Sequence, residues 1–312
     1  MNDDITIVTA CDEGYALGAW LLIASIRMNG MDERILVGAY NWSPEWKSII
    51  NHFPNVTISE LPIEDKRSVT CSKPEIMLRA QTDWVIWIDC DGFLTGNCSD
   101  AIRCGKEMVL VRPRTKSEIE ELYRKVRSNE EDSGSVPESI LKIWRRDIGD
   151  LCQPRYDFII AAAIIGVHLP NSAPFLKRWI EQMHKVLPDD VSVVDDSSIA
   201  YFQTDESVFN SMFLFDSKAP AFDSSYALNH TDRPHFIHFA FNPKPWIMWN
   251  RFSFRHFDKV MDIVEWAAKN GYAENVKLPY TFKRKNKVLC RLLLPFSSIV
   301  AKFRKYARKF FH

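Results

Sequence analysis

The sequence predicts an α/β fold with a mostly parallel central sheet and helices on both of its faces. Three observations carry this expectation. Short β-rich runs alternate with helical stretches from Ile5 to Val111, the pattern of repeated strand–helix units. The run Trp84-Val85-Ile86-Trp87-Ile88 is apolar without alternation, as a strand covered on both faces must be. Hydrophobic residues make up 46% of the 312 and charged residues 26%, enough apolar material for a full core and too much for a disordered chain.

The elements follow in order. Ile5–Ala10 reads as the first strand, Cys11-Asp12-Glu13-Gly14-Tyr15 as a loop, and the apolar stretch to Met28 as a helix. Ile35–Tyr40 is a second strand, Trp46–Phe53 a helix and Val56–Leu61 a third strand. A helix near Lys73–Gln81 leads into the buried strand Trp84–Ile88, and Met108–Val111 gives a fifth strand. Residues 115–148 are charge-rich, with 128–135 expected as a mobile loop. Phe158–Val167 reads as another buried strand. Ser172 and Pro174 mark the start of an amphipathic helix whose apolar positions include Phe175, Leu176, Trp179, Ile180 and Met183. Thr204 is placed to N-cap a helix over Asp205–Phe213, and His235–Ala240 is a late strand. No internal repeat is visible.

Charge divides the chain. The 40 basic and 40 acidic residues cancel, but residues 283–312 hold ten Lys and Arg and no Asp or Glu. Residues 1–282 therefore keep 30 basic against 40 acidic residues, too acidic a body for nucleic-acid binding. This divides the chain into one domain, 1–282, and a basic tail, 283–312. On a helix through Ser298–Phe311, Ile299, Phe303, Tyr306 and Phe310 share one face, flanked by Lys302, Lys305, Arg308 and Lys309. A basic amphipathic helix of this kind suits an anionic membrane surface; docking on the acidic body is the other reading. Seven scattered cysteines without a C-x-x-C pair fit a reduced, cytoplasmic protein without structural zinc. The acidic start Met-Asn-Asp-Asp is not a secretory signal, and the apolar runs Ala16–Ile26 and Phe158–Leu169 are too short to span a bilayer.

The strongest local motif is Asp89-Cys90-Asp91-Gly92, directly after the buried strand. Ligands of open α/β sheets bind beyond the carboxyl ends of strands, so both acids fall where a site is expected. Two hard oxygen ligands suit magnesium or manganese bridging to a phosphate-bearing substrate. By itself the pair also fits a strand-to-loop cap. Haloacid-dehalogenase-like phosphatases carry a similar D-x-D-G, and Asp195-Asp196 would supply their distal acids, but there the motif opens the fold.

His238-Phe239-Ala240-Phe241-Asn242-Pro243-Lys244-Pro245-Trp246 tips the balance. It resembles the His-x-x-Gly-x-x-Lys-Pro-Trp motif of glycosyltransferase family 8, whose members have the GT-A fold, with Phe241 at the family's Gly. Thr9–Tyr15 is similar to that family's nucleotide loop. Thr204–Asn210 is similar to its Asp-Gln-Asp-x-x-Asn segment, with Asp205 retained, Glu206 for Gln and Ser207 for the second Asp. Ile160-Ala161-Ala162-Ala163 departs from its Asn-Ala-Gly-Val, and Ser72–Arg79 lacks its Tyr-x-Arg, leaving Lys73 either at the donor or on the surface.

The resemblance covers roughly residues 5–250. It implies a Rossmann-like GT-A domain that transfers a hexose from a nucleotide sugar, most often UDP-linked, to a lipopolysaccharide or other lipid-linked glycan. Asp89, Asp91 and His238 would hold manganese or magnesium. Asp12, Tyr15, Lys73, Asp89 and Lys244 would bind the donor, and Asp205, Glu206 and Lys244 would serve catalysis. Glu206 is expected either as a nucleophile at the anomeric carbon or as a solvent-facing acid in a helix's first turn. The expected location is the inner face of the cytoplasmic membrane, peripherally attached. A phosphatase using Asp89 and Asp91, or an inactive sugar-nucleotide binder, are the alternatives.

Overall fold

The computed structural model describes residues 4–61, 69–99, 108–124, 134–191, 194, 200–223 and 236–310. Most of the loop expected at 128–135, and the acidic pair Asp195-Asp196, lie outside them. The chain opens with β1 (Ile5–Asp12), α1 (Ala16–Met28), β2 (Arg34–Tyr40), α2 (Pro44–Asn51) and β3 (Val56–Glu60). Next come α3 (Lys73–Met77), β4 (Trp84–Ile88), β5 (Gly92–Leu94) and β6 (Met108–Pro113). The charge-rich stretch forms α4 (Lys116–Tyr123) and α5 (Glu138–Ile148), followed by β7 (Ile160–His168), α6 (Leu169–Val186) and α7 (Asp205–Phe215). β8 (Ala221–Asp223), β9 (Phe236–His238), α8 (Phe257–Lys269), α9 (Lys287–Leu293) and α10 (Ser297–Phe310) complete it.

Seven strands form the main sheet in the order β3-β2-β1-β4-β7-β6-β8. β1 pairs in parallel with β2 and β4, and β2 with β3. β7 runs antiparallel to both β4 and β6, so β6 again points the same way as β4. The apolar run of β4 is explained by its two covers. Ile86 and Ile88 pack with α1 and α8 on one face, while Val85 and Trp87 pack with α3, α6 and α7 on the other. Each fully buried side chain of this kind stabilises the fold by about 1.5–3 kcal/mol.

Two helix starts differ from the sequence reading. α6 begins at Leu169 and carries Pro174 inside it, with Ser172 buried instead of capping. Thr204 has φ 43° and ψ −114°, and its hydroxyl turns to Asp205 Oδ1 at 3.1 Å without capping the backbone of α7. Glu118, by contrast, closes a capping box with Thr115 at the start of α4.

The basic segment starts by docking on the body. Arg284 bonds Asp262 and Glu265, and Lys287 bonds Asp258, all on α8. Phe282 and Cys290 are buried beside them. Further along, Ile299 and Phe303 are 62% and 74% exposed on α10. No helix among the described residues is long and apolar enough to cross a membrane, and no disulfide forms among the described cysteines.

Candidate active site

The site lies at the carboxyl edge of β4, where Asp89 and Asp91 leave the sheet. A second, two-stranded ribbon completes it: β5 pairs antiparallel with β9, with Gly92 opposite His238. That pairing needs a glycine. A Cβ on Gly92 would stand 2.4 Å from the Ile237 carbonyl oxygen, closer than real atoms approach. The ribbon sets His238 beside the D-x-D, with Nε2 3.0 Å from Asp91 Oδ1 and 3.7 Å from Asp89 Oδ2. Ligand atoms of Asp89, Asp91 and His238 all lie within 4.8 Å of one another. Two carboxylates and an imidazole at that separation fit a hard divalent cation.

Each acid also has a lysine. Lys244 donates to Asp91 Oδ2 at 2.6 Å and to the Phe239 carbonyl at 2.7 Å. Trp246 fixes this turn by donating to the Gly14 carbonyl and packing over α1, where a side chain on Gly18 would collide with its ring. Lys73, only 3% exposed, reaches Asp89 Oδ1 at 3.1 Å, Asp205 Oδ2 at 3.0 Å and the Ala162 carbonyl at 3.1 Å. The surface placement of Lys73 is therefore wrong: α3 points it inward, between the D-x-D and the start of α7.

Glu206 is corrected too. It does not face solvent. Arg114 donates to its Oε1 through Nε at 3.1 Å and Nη2 at 2.6 Å, and the Ala162 amide donates to Oε2 at 3.0 Å. Arg114 was not visible as a site residue in the sequence. The signal was Arg112-Pro113-Arg114 at the end of a strand; because β6 parallels β4, that end reaches the same edge, past an irregular register at Val111/Arg112.

Charge balance sets the protonation states. Burial opposes ionisation of Asp91, yet His238 and Lys244 hold its carboxyl well below the usual range. Burial also disfavours the His238 imidazolium, but Asp91 and Asp89 raise its pKa above the ordinary value. Despite burial, Asp205 and Asp89 keep Lys73 charged. Asp205 shifts upward through burial, with Lys73 opposing, whereas Arg114 and the Ala162 amide outweigh burial and lower Glu206.

A cleft of about 720 Å³ opens over these groups, a volume typical of small-molecule sites. Lys73, Asp89, Asp205, Glu206 and His238 line it, together with Arg112 and Arg114. Asp91 and Lys244 stand behind that lining. Asp12 is exposed at the end of β1, and Tyr15 meets Trp246 edge-on at 5.5 Å and lies 5.9 Å from Lys244 Nζ. Neither borders the cleft itself.

No family model matches the sequence, and no curated protein matches it. Solved structures do match in shape. The bifunctional glycosyltransferase WbbM aligns with a TM-score of 0.58 at 15% identity, over 92% of this chain and 52% of its own. The galactosyltransferase LgtC, solved with donor and acceptor sugar analogues, aligns with a TM-score of 0.54 at 14% identity, over 85% and 95%. The glycosyltransferase GlyE of Streptococcus pneumoniae TIGR4 gives 0.51 at 14% identity, over 86% and 64%.

The fold is that of a GT-A glycosyltransferase. This chain spans about half the length of WbbM. The D-x-D, His238 and Lys244 converge here, and Lys73, Asp205 and Glu206 join them from α3 and α7. The ribbon is where the sequence reading was too long: His235–Ala240 shortens to Phe236–His238 among the described residues, and Phe241, at the motif's Gly position, points out of the rim.

Proposed function

We propose that the protein is a metal-dependent glycosyltransferase, moving a hexose from a UDP-linked sugar to a lipopolysaccharide or other lipid-linked glycan. The observation that supports it is the cluster of Asp89, Asp91 and His238 with Lys244 at its back, at the carboxyl edge of a GT-A sheet. The three ligands would hold manganese or magnesium, which when bound supplies positive charge for the donor diphosphate. Lys244, whose ammonium is shared between Asp91 and the Phe239 carbonyl, would add a second positive charge to stabilise the leaving diphosphate. Asp205, steadied by Lys73, would orient the sugar hydroxyls. Asp12 and Tyr15 would border the nucleotide.

Glu206 remains ionised beside the sugar end. With Oε1 taking two Arg114 donors and Oε2 the Ala162 amide, it is better placed to stabilise positive charge on the sugar ring than to attack it. Attack would require the Arg114 contact to break. The tail 283–312 would hold the enzyme on the anionic inner face of the cytoplasmic membrane, through the exposed face of α10.

A donor screen by mass spectrometry with manganese tests the assignment. Wild type should release UDP from one UDP-hexose, and Asp91→Asn should abolish that release. Phosphate release from an aryl phosphate with magnesium would instead indicate the phosphatase, although Asp89 as its nucleophile already takes Lys73 and the Trp87 indole on Oδ1. Nucleotide binding without turnover of any donor would leave a sugar-nucleotide binder.

A further inference from the structure

Beside the cleft lies a second groove of about 380 Å³, and the two share a wall. Phe241 and Phe252, whose rings meet edge-on with centroids 5.5 Å apart, line both cavities. They are exposed, at 58% and 37%. The other side of the groove is formed by Leu294, Pro295 and Ser298, at the junction of α9 and α10. An aromatic pair on the rim is thus separated from the C-terminal helices by the width of one groove.

Those helices carry a longer apolar stripe than α10 alone. Val288, Leu292, Phe296, Ile299 and Phe303 follow one another at i, i+4, i+8, i+11 and i+15, and all five are exposed. Within each helix that spacing puts Val288 with Leu292 and Ile299 with Phe303 on one face, and the 3-10 turn Leu294–Phe296 carries Phe296 between the two pairs. Tyr306 and Phe310 continue the same spacing in the sequence.

Along the chain, the charges flanking both features have one sign, although Glu118 and Glu121 also line the cleft. From Phe239 to Phe257 the chain carries Lys244, Arg251 and Arg255 and no acid, and from Lys283 onward there is none either. Arg251 and Arg255 are exposed beside Phe252. Burial, with the positive charges of Lys259 and Arg255, pushes the His256 imidazole below its ordinary pKa. The acids of α8, Asp258, Asp262 and Glu265, are engaged by Arg284 and Lys287. Large apolar side chains set among cations complement an anionic bilayer, which offers hydrocarbon below a negatively charged surface.

We propose that Phe241 and Phe252 form a second lipid-contacting point, so that the protein rests on an anionic membrane through both the helix stripe and the rim of its cleft. The inference builds on the membrane attachment proposed above and adds an orientation to it. The mouth of the cleft would stand at the level of the lipid headgroups, and a lipid-linked acceptor would enter from the membrane without leaving it. The two points are independent in sequence, more than 30 residues apart, and meet only in the folded chain.

Flotation with phosphatidylcholine vesicles containing phosphatidylglycerol tests this on the full chain. The double variants Phe241→Ser/Phe252→Ser and Ile299→Ser/Phe303→Ser should each weaken partitioning by about tenfold, since each withdraws two large side chains from the interface. Thermal melting checks that each variant is folded. Phe241→Asp, a single change at an exposed position, gives a second test: it should weaken binding to anionic vesicles more than to neutral ones. If the rim variants float like wild type while the helix variant does not, the second contact is refuted and the tail attachment stands. If wild type itself does not float, the membrane attachment fails and this inference with it. Rim variants that float normally but lose affinity for a soluble oligosaccharide would make the pair a glycan platform and overturn the proposal.

Discussion

Lys73 is the residue on which the two halves of the site lean. Its ammonium answers two carboxylates, Asp89 and Asp205, from a buried position. Removing one partner of a buried charge cluster typically costs about 3–5 kcal/mol, because the other charges stay buried and unpaired. Lys73→Met should lower the urea stability by that order, measured by equilibrium unfolding. Glu206 makes a prediction in pH. Its folded pKa lies below the ordinary carboxylate value of about 4.3, so it adds stability above that pH and loses it as pH falls through the folded pKa. Glu206→Gln should therefore cost about 1–3 kcal/mol at neutral pH, with Arg114 left beside a weaker acceptor. The gap between wild type and variant should begin to shrink as pH falls below about 4.3 and close only as pH passes the lowered folded pKa, where the wild-type carboxylate also becomes neutral. Unfolding midpoints collected from pH 7 to pH 3 would show it. How much of this was legible follows from chemistry and distance along the chain. The D-x-D and His238 stood out because metal ligands come in few types and this spacing is uncommon. The Arg114–Glu206 pair did not: its members are 92 residues apart, and an arginine ending a strand has many possible roles.

At the scale of elements, the ribbon of β5 and β9 decides whether His238 meets Asp89 and Asp91. Three-residue strands leave almost no periodicity, so the sequence indicated a strand near His238 but not its partner. Periodicity also has no direction. The apolar run of β7 predicted burial correctly, yet nothing in it announced the antiparallel course between β4 and β6 that leaves β6 pointing the same way as β4 and Arg114 at the site. Gly92→Ala should force the ribbon apart at the Ile237 carbonyl and draw His238 away from Asp91. We expect manganese affinity, by titration calorimetry, to fall by tenfold or more, of the size caused by losing a ligand's support, with the far-ultraviolet dichroism of the main sheet retained. The C-terminal helices divide differently. Ending the chain after Ser298 keeps Arg284, Lys287 and the buried Cys290 in place and should leave the melting temperature unchanged. Ending it after Phe282 removes these contacts with α8 and should lower it by about 2–6 °C, on the scale of 1–2 kcal/mol in a domain of this size.

The whole molecule is a dipole of sorts, an acidic body with a basic end, and α8 is where the two are joined. Part of the tail's charge is spent internally on Asp258, Asp262 and Glu265, while Lys283, Lys285, Arg291 and Lys302 are exposed. Attachment to anionic vesicles should weaken as salt rises from 0.05 to about 0.5 M, because the electrostatic share is screened within a Debye length of about 10 Å or less. A co-sedimentation series would detect the trend, and a flat series would leave the apolar stripe as the whole of the attraction. The ribbon has a further consequence, in the order of synthesis. β5 leaves the ribosome more than a hundred residues before its partner β9, and His238 and Lys244 follow Asp91 by 147 and 153 residues. At about 5–20 residues per second, the nascent chain holds an unpaired D-x-D for many seconds while the main sheet is being completed. The ribbon is among the last pieces to close. The apolar stripe of the tail emerges later still, after Asp89, Asp91, His238 and Lys244 are all available to fold together.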